Sequence, residues 1–163
     1  TSKYKQELVE TCKELMLEAD KEEKANIIVP RDAVVASEPS EEATKLDLPL
    51  EDISGDMGIY DIGKVTIDRY IEIIAKSGMI IWNGPLGLSE FNRFSHASKR
   101  IAEAVAAATK NGAISIIGGG DTIDFHVRYK YPLDAYTFVS TGGGAILEFL
   151  GGERFAALEA LRA

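Results

Sequence analysis

The stretch "SIIGGGDT", Ser115–Thr122, decides how the chain is read: an apolar run stops on three glycines, followed by a carboxylate and a hydroxyl. A strand running into a tight turn and then a helix uses all of these features. Consecutive glycines admit positive φ and let a ligand approach the main chain closely. The first N–H groups of the helix then face an anion with no side chain in the way. Asp121 and Thr122 fall where a helix cap, or a ligand of a phosphate-bound Mg²⁺, belongs. The residues alone leave both readings open.

The surrounding sequence repeats this grammar. Ala97, Ile101, Ala104, Val105 and Ala108 mark an amphipathic helix ended by "KNG", and "AISII" (113–117) is the strand that enters the glycine turn. A helix from about Asp121 to Tyr129 follows, then the strand "AYTFVS" (135–140) and a second glycine turn opening a helix, "TGGGAILEFL" (141–150). Upstream, Ile67, Tyr70, Ile71 and Ile74 have helical spacing, and "SGMIIW" (77–82) reads as turn plus strand. "NIIVP" (26–30) is expected to be a short buried strand stopped by proline, with "AVVA" (33–36) resuming an extended run. Residues 37–56 are acidic and turn-rich, and are expected to form a surface excursion. From Tyr4, the positions Leu8, Cys12, Leu15, Met16 and Ala19 predict a helix of about five turns, with Cys12 on its apolar face and in the core.

Short strands alternating with helices specify an α/β fold, a Rossmann-like parallel sheet with helices on both faces. In such sheets ligands bind beyond the carboxyl ends of the strands. Three strands end in unusual sequence: Trp82 enters "NGP", Ile117 enters "GGGDT" and Ser140 enters "TGGGA". All three loops should lie along one edge of the sheet.

Bulk properties exclude several alternatives. The 163 residues suit one domain of ordinary size, and the net charge is −8. That acidity resides in residues 1–60, whereas the part holding the glycine motifs is neutral. Nucleic acid is therefore a poor electrostatic match. No apolar stretch reaches the length of a membrane helix, and the single cysteine rules out an internal disulfide framework. A soluble, cytoplasmic protein is expected. "GGGDT" is neither a Walker A loop nor a dinucleotide fingerprint, and neither glycine turn contains Lys or Arg. A phosphate held there would rely on main-chain N–H groups, with Mg²⁺ on Asp121. No serine sits in a G-x-S-x-G elbow, and His96 and His126 lack a second ligand at metal spacing, so both read as structural or surface residues. Trp82 reads as core packing, and Glu90 as either a solvated or a functional carboxylate.

Read in order, "MGIYDIG" (57–63), "WNGPLGLSEF" (82–91), "IIGGGDT" (116–122) and "VSTGGGAILEFL" (139–150) resemble the consecutive signatures of the phosphoglycerate kinase family. "NIIVPRDAVVA" (26–36) is similar to the family's Leu-Pro-Val-Asp strand, with Val29 and Arg31 as substitutions. The resemblance covers nearly the whole chain. It implies that residues 1–163 are the later part of the C-terminal nucleotide-binding domain of a two-domain kinase, through to the C-terminus. The N-terminal substrate domain is then missing, as is the early strand carrying a phosphate-contacting lysine.

The implied activity is reversible phosphoryl transfer between 1,3-bisphosphoglycerate and ADP, giving 3-phosphoglycerate and ATP, with Mg²⁺ accompanying the ADP or ATP. The implied parent enzyme is a monomer that binds neither nucleic acid nor membrane. By position, Met57, Gly58, Ile59, Pro85 and Leu88 would line the adenine pocket, and Glu90 would bond the ribose hydroxyls. Asn83, Gly119, Gly120 and Thr122 would meet the phosphates, Asp121 would ligate Mg²⁺, and Gly142, Gly143 and Gly144 would stabilise the phosphoryl group in flight. Two departures stand out: Tyr60 is an extra residue in the family's Met-Gly-Leu-Asp pattern, and "IDFHVRYKY" is bulky where the family has small residues. The alternative is a non-catalytic nucleotide-binding or interaction module. The tail "FAALEALRA" (155–163) has helical spacing, and the chain alone is expected to bind nucleotide weakly and to lack turnover.

Overall fold

In the computed structural model, which describes residues 5–21 and 25–152, the strands form two three-stranded sheets. The first is antiparallel and centres on β1 (Asp32–Ala36), fully buried between β2 (Leu46–Pro49) and β3 (Gly58–Ile62). The second is parallel, in the order β4 (Met79–Asn83), β5 (Ile114–Gly118), β6 (Phe138–Ser140). The helices are α1 (Val9–Ala19), α2 (Lys64–Ile74), α3 (His96–Lys110), α4 (Gly120–Tyr129) and α5 (Gly143–Leu150). The fold is thus α/β and Rossmann-like, with mixed sheets flanked by helices.

Side-chain alternation explains the packing of the parallel sheet. Trp82, Ile117 and Val139 point to one face, where they meet Ile101, Ala102 and Val105 of α3, Phe125 of α4, and Tyr136. Met79, Ile81, Ile114 and Phe138 are exposed. A second cluster joins Val34 and Ala36 of β1 to Ala43 and Phe94, with Tyr60, Leu88 and Phe91 against it.

Aspartates of the antiparallel sheet hold two helix N-termini, Asp32 and Asp61 from buried positions and Asp47 from an exposed one. Asp32 accepts the Val65 N–H at 2.7 Å and the Thr66 N–H at 2.9 Å, and Asp47 accepts the Lys64 N–H at 2.9 Å, so the first turn of α2 is capped from β1 and β2. Burial pulls the Asp32 carboxyl up, but the bonds from Thr66 and Val65 outweigh it and hold the group below the usual carboxylate range. Asp61 of β3 accepts the Ala97 N–H in the first turn of α3 at 3.1 Å, and the Ile62 N–H at 2.9 Å.

Several expectations need correction. Residues 26–30 form no strand; Pro30 lacks an N–H for a ladder, and the Ile28 carbonyl instead accepts the Tyr70 hydroxyl at 2.9 Å. The acidic excursion contains β2, which completes a sheet. α1 has only 11 residues, none of them buried, and Cys12 is exposed. Its apolar stripe has the spacing of a core helix, but nothing among the described residues covers it. β6 is shorter than expected, because Leu133–Ala135 form a 3-10 turn. The predicted tail helix at 155–163 lies outside the described residues. Among those residues, no helix is long and apolar enough to cross a membrane.

Burial pushes the Asp61 carboxyl up to about 7, against the opposing pull of the Ala97 and Ile62 N–H bonds and the Lys45 charge. The folded state therefore keeps a proton that the unfolded chain releases near its ordinary value of 3.8. The stability this group contributes is complete below that value and is lost as pH rises through about 7. Urea unfolding of the wild type and Asp61→Asn across this window should show the wild type losing ground to the variant as pH rises. A wild type that gains ground would mean that the N–H bonds dominate and the carboxylate is the favoured form.

Candidate functional site

The parallel register places the three unusual strand ends side by side. Asn83 is the partner of Gly118, and Gly118 is the partner of Ser140, so the loops that follow leave the same edge of the sheet. The chain can turn there because Gly84 and Gly119 take φ values of 97° and 94°, a region that side-chain-bearing residues rarely enter. Gly119 then caps α4 and Gly142 caps α5, and neither helix has a side-chain cap. The main-chain N–H groups of both first turns are left to an outside acceptor.

The two helix starts lie against each other. An ideal Cβ on Gly143 would fall 2.5 Å from Gly119 Cα and 2.9 Å from Asn83 Oδ1; one on Gly119 would fall 2.6 Å from the same oxygen. Asn83 bridges the turns, its Nδ2 donating to the Gly143 carbonyl at 3.3 Å. Asn83, Gly119 and Gly143 are thus brought together, and Gly120, Gly144 and Gly142 flank them. Two uncapped helix N-termini therefore lie side by side, and their dipoles suit an anion without the help of basic side chains.

Asp121 is exposed in the first turn of α4. It makes no capping bond, since the cap position belongs to Gly119. An open carboxylate beside two uncapped helix starts is a residue type that suits Mg²⁺, which takes one or two carboxylates and draws its other ligands from phosphate and water. Among the described residues no group of three acidic, His or Cys side chains could hold a metal alone, so any cation here would come with its anion. Thr122, expected at a phosphate, is fully buried, and its hydroxyl accepts the Gly84 N–H at 2.7 Å. It ties α4 to the loop after β4.

That loop carries the remaining residues. Ser98 Oγ accepts the Leu86 N–H at 2.8 Å and donates to the Leu86 carbonyl, while the Tyr129 hydroxyl donates to the Ser89 carbonyl. Pro85 and Leu88 are half-buried, and Glu90 is exposed. The Leu88 N–H donates to the Tyr60 carbonyl at 2.7 Å, which brings the 85–90 loop against β3 with Gly58 buried and Met57 and Ile59 exposed. The extra residue Tyr60 is taken up as a β-bulge: Val34 pairs with Asp61 and Val35 with Ile59, leaving Tyr60 unpaired. Its ring folds over Gly58 and packs on Phe94 at 5.0 Å.

Sequence reasoning missed this bulge and the buried pair His126–Tyr136 behind the site. The insertion in the motif was the available signal for the first. The bulky run after Asp121 was the signal for the second.

The fold defines an α/β protein of the Rossmann-like class. Comparison with known proteins is more specific: the family model "Phosphoglycerate kinase" matches residues 1–153. The phosphoglycerate kinase of Nocardia farcinica is 37% identical over 163 residues, and that of Corynebacterium diphtheriae 36% over 161 residues, covering 99% and 98% of this chain. Among solved structures, phosphoglycerate kinase from Coxiella burnetii superposes with a TM-score of 0.84 at 35% identity over 91% of this chain. The enzyme from Pyrococcus horikoshii gives 0.77 at 31% identity over 96%. The chain belongs to the phosphoglycerate kinase family. It spans 38% of the length of both sequence relatives, and 38% and 36% of the two solved chains.

The contact between the glycine turns makes a direct prediction. Gly143→Ala, with no room for its methyl group, should destabilise the chain by about 1–3 kcal/mol in urea unfolding. Gly144→Ala, with nothing within 4 Å of the added carbon, should be neutral or stabilising by up to about 1 kcal/mol. Equal effects at both positions would contradict the close approach.

Proposed function

We propose that this chain supplies the Mg-nucleotide site of a phosphoglycerate kinase and corresponds to the later part of the C-terminal nucleotide-binding domain. The reaction is reversible phosphoryl transfer from 1,3-bisphosphoglycerate to ADP, giving 3-phosphoglycerate and ATP. A terminal ADP oxygen forms the new bond to phosphorus, and the bond to the acyl oxygen breaks to leave the carboxylate. The acid substrate is held by residues outside this chain. The reading rests on one observation above the others: the uncapped starts of α4 and α5 meet at Gly119 and Gly143 beside Asn83.

Each residue then has a physical task. The first-turn N–H groups of α4 bind the nucleotide phosphates. Those of α5, at Gly142–Gly144, face the group being transferred, where charge spreads over three oxygens and fixed dipoles act most strongly. Asp121 holds Mg²⁺, which neutralises phosphate charge when bound. Asn83 keeps the two turns in register, and Thr122 fixes Gly84 behind them. Met57, Gly58, Ile59, Pro85 and Leu88 offer an apolar wall for the base, with Glu90 accepting the ribose hydroxyls. Such a reaction needs positioning and charge stabilisation more than a covalent partner, which fits a site of glycines and one carboxylate.

Calorimetry can separate these roles. Asp121→Asn should lower ADP affinity in Mg²⁺ about tenfold, towards the value without Mg²⁺, while leaving adenosine binding unchanged. In the complete enzyme it should remove most turnover. If Asp121→Asn leaves both Mg·ADP affinity and kcat near normal, the metal assignment is wrong.

Glu90→Ala should weaken ADP and adenosine equally, with or without Mg²⁺. In the complete enzyme it should raise KM more than it lowers kcat, because ribose contacts are equal in ground and transition states. A fall in kcat matching the fall in kcat/KM would contradict the ribose role.

A further inference from the structure

Behind the glycine turns lies a buried polar group to which the phosphoryl transfer gives no task. His126 of α4 has no exposed surface, and both ring nitrogens are engaged: Nδ1 lies 2.6 Å from the Thr122 carbonyl oxygen and Nε2 lies 2.8 Å from the Tyr136 hydroxyl. A carbonyl only accepts, so Nδ1 carries the hydrogen and donates it. Nε2 is then the acceptor, and the Tyr136 O–H donates to it. The geometry fixes one tautomer and one hydroxyl orientation. Burial lowers the affinity of the imidazole for a second proton, in keeping with a neutral ring.

We propose that His126 is a positioning residue that sets the two helix starts and the Asn83 loop relative to one another. This rests on the reading of that cradle as the phosphate site. Its partners reach all three strand ends. Thr122 is in the first turn of α4, and its hydroxyl holds the Gly84 N–H. Tyr136 lies two residues before β6, which leads into the Gly142–Gly144 turn. Trp82, next to Asn83, packs edge-on against the imidazole at 5.2 Å, and its indole N–H donates to the Gly84 carbonyl at 2.6 Å. One ring therefore couples the chain entering each of the three loops.

The same geometry says that the role is alignment more than stability. Without the imidazole, the Thr122 carbonyl keeps its place in the α-helical ladder, four residues before the backbone N–H at position 126. The Tyr136 hydroxyl keeps an alternative acceptor, the Ala102 carbonyl at 3.4 Å. A ring of similar size that makes no hydrogen bonds would leave no buried polar group stranded, so the fold tolerates the loss. What disappears is the rigid link between α4 and the entry to β6.

The test uses the full chain with three probes: Mg·ADP, tripolyphosphate with Mg²⁺ for the anion half, and adenosine for the base half. His126→Phe should weaken Mg·ADP and tripolyphosphate about tenfold, leave adenosine unchanged and barely move the urea midpoint. His126→Gln, whose amide can reach the place of Nε2 and accept the Tyr136 hydroxyl, should recover most of the loss. Tyr136→Phe should weaken the same two ligands and add nothing to His126→Phe in the double variant. In the wild type, ¹⁵N NMR of the imidazole should show the Nδ1–H tautomer. An Nε2–H tautomer, unchanged tripolyphosphate binding in His126→Phe, or adenosine weakening in step with a lower urea midpoint would each overturn the positioning role alone. A wild type that binds neither Mg·ADP nor tripolyphosphate would overturn the phosphate-site reading and this inference with it.

Discussion

The backbone of Gly143 runs so close to that of Gly119 that a single methyl group would separate them. That contact is possible only because β4, β5 and β6 end in register, at Asn83, Gly118 and Ser140. It also needs the chain to turn sharply after each strand, which the positive φ of Gly84 and Gly119 allows. From this one approach follows the convergence of two helix dipoles, the reach of Asn83 across both turns, and the open position of Asp121. The hydrophobic core serves it from behind: Trp82 and Ile117 lock the strands to α3 and α4, and Thr122 locks α4 to the loop at Gly84.

The helix N-termini divide into two kinds. Those of α2 and α3 are filled by aspartates of the antiparallel sheet, Asp32 with Asp47 for α2 and Asp61 for α3. Those of α4 and α5 begin on glycine and have no side-chain cap. The first kind binds the two sheets' helices into one body, and the second keeps its main-chain donors for a ligand. This division suits a chain of net charge −8. The buried Asp32 and Asp61 and the exposed Asp47 are spent on helix starts, whereas the positive field at the starts of α4 and α5 comes from the backbone.

Periodicity was a sound guide where an element packs on one face against one neighbour. Ile67, Tyr70, Ile71 and Ile74 marked α2, the alanine-rich repeat marked α3 to within a few residues, and the strand ends at Trp82, Ile117 and Ser140 predicted the shared edge. The glycine turns were legible because at Gly119 and Gly143 only glycine serves. β2 and β3 were not, since their pairing with β1 is long-range and antiparallel, and "MGIYDIG" carries a bulge that breaks the alternation a strand should show. Cys12 shows the opposite failure: the spacing was right, but burial needs a partner surface, and the sequence of a helix cannot say whether one is present. The approach of the 85–90 loop to β3 was not legible either, because it rests on one long-range hydrogen bond, from the Leu88 N–H to the Tyr60 carbonyl.

Tyr60 and His126 are both bulky residues fixed by hydrogen bonds beside the strand-end loops. The bulge leaves the Tyr60 carbonyl outside the ladder, free to hold Leu88, and lays the ring over Gly58, so the 85–90 loop is drawn against β3 without disturbing Asp61 beneath it. His126 places a bonded imidazole within α4, and Phe125, Tyr131 and Tyr136 enclose it. A bulky helix could have pushed α4 away from the sheet. Instead the polar pair recovers a fixed geometry: the imidazole and the hydroxyl have one hydrogen each to give along this link, and only one arrangement satisfies both ring nitrogens. The added volume thus comes with a directional constraint, and the glycine turns in front keep the close contact on which an anion cradle depends.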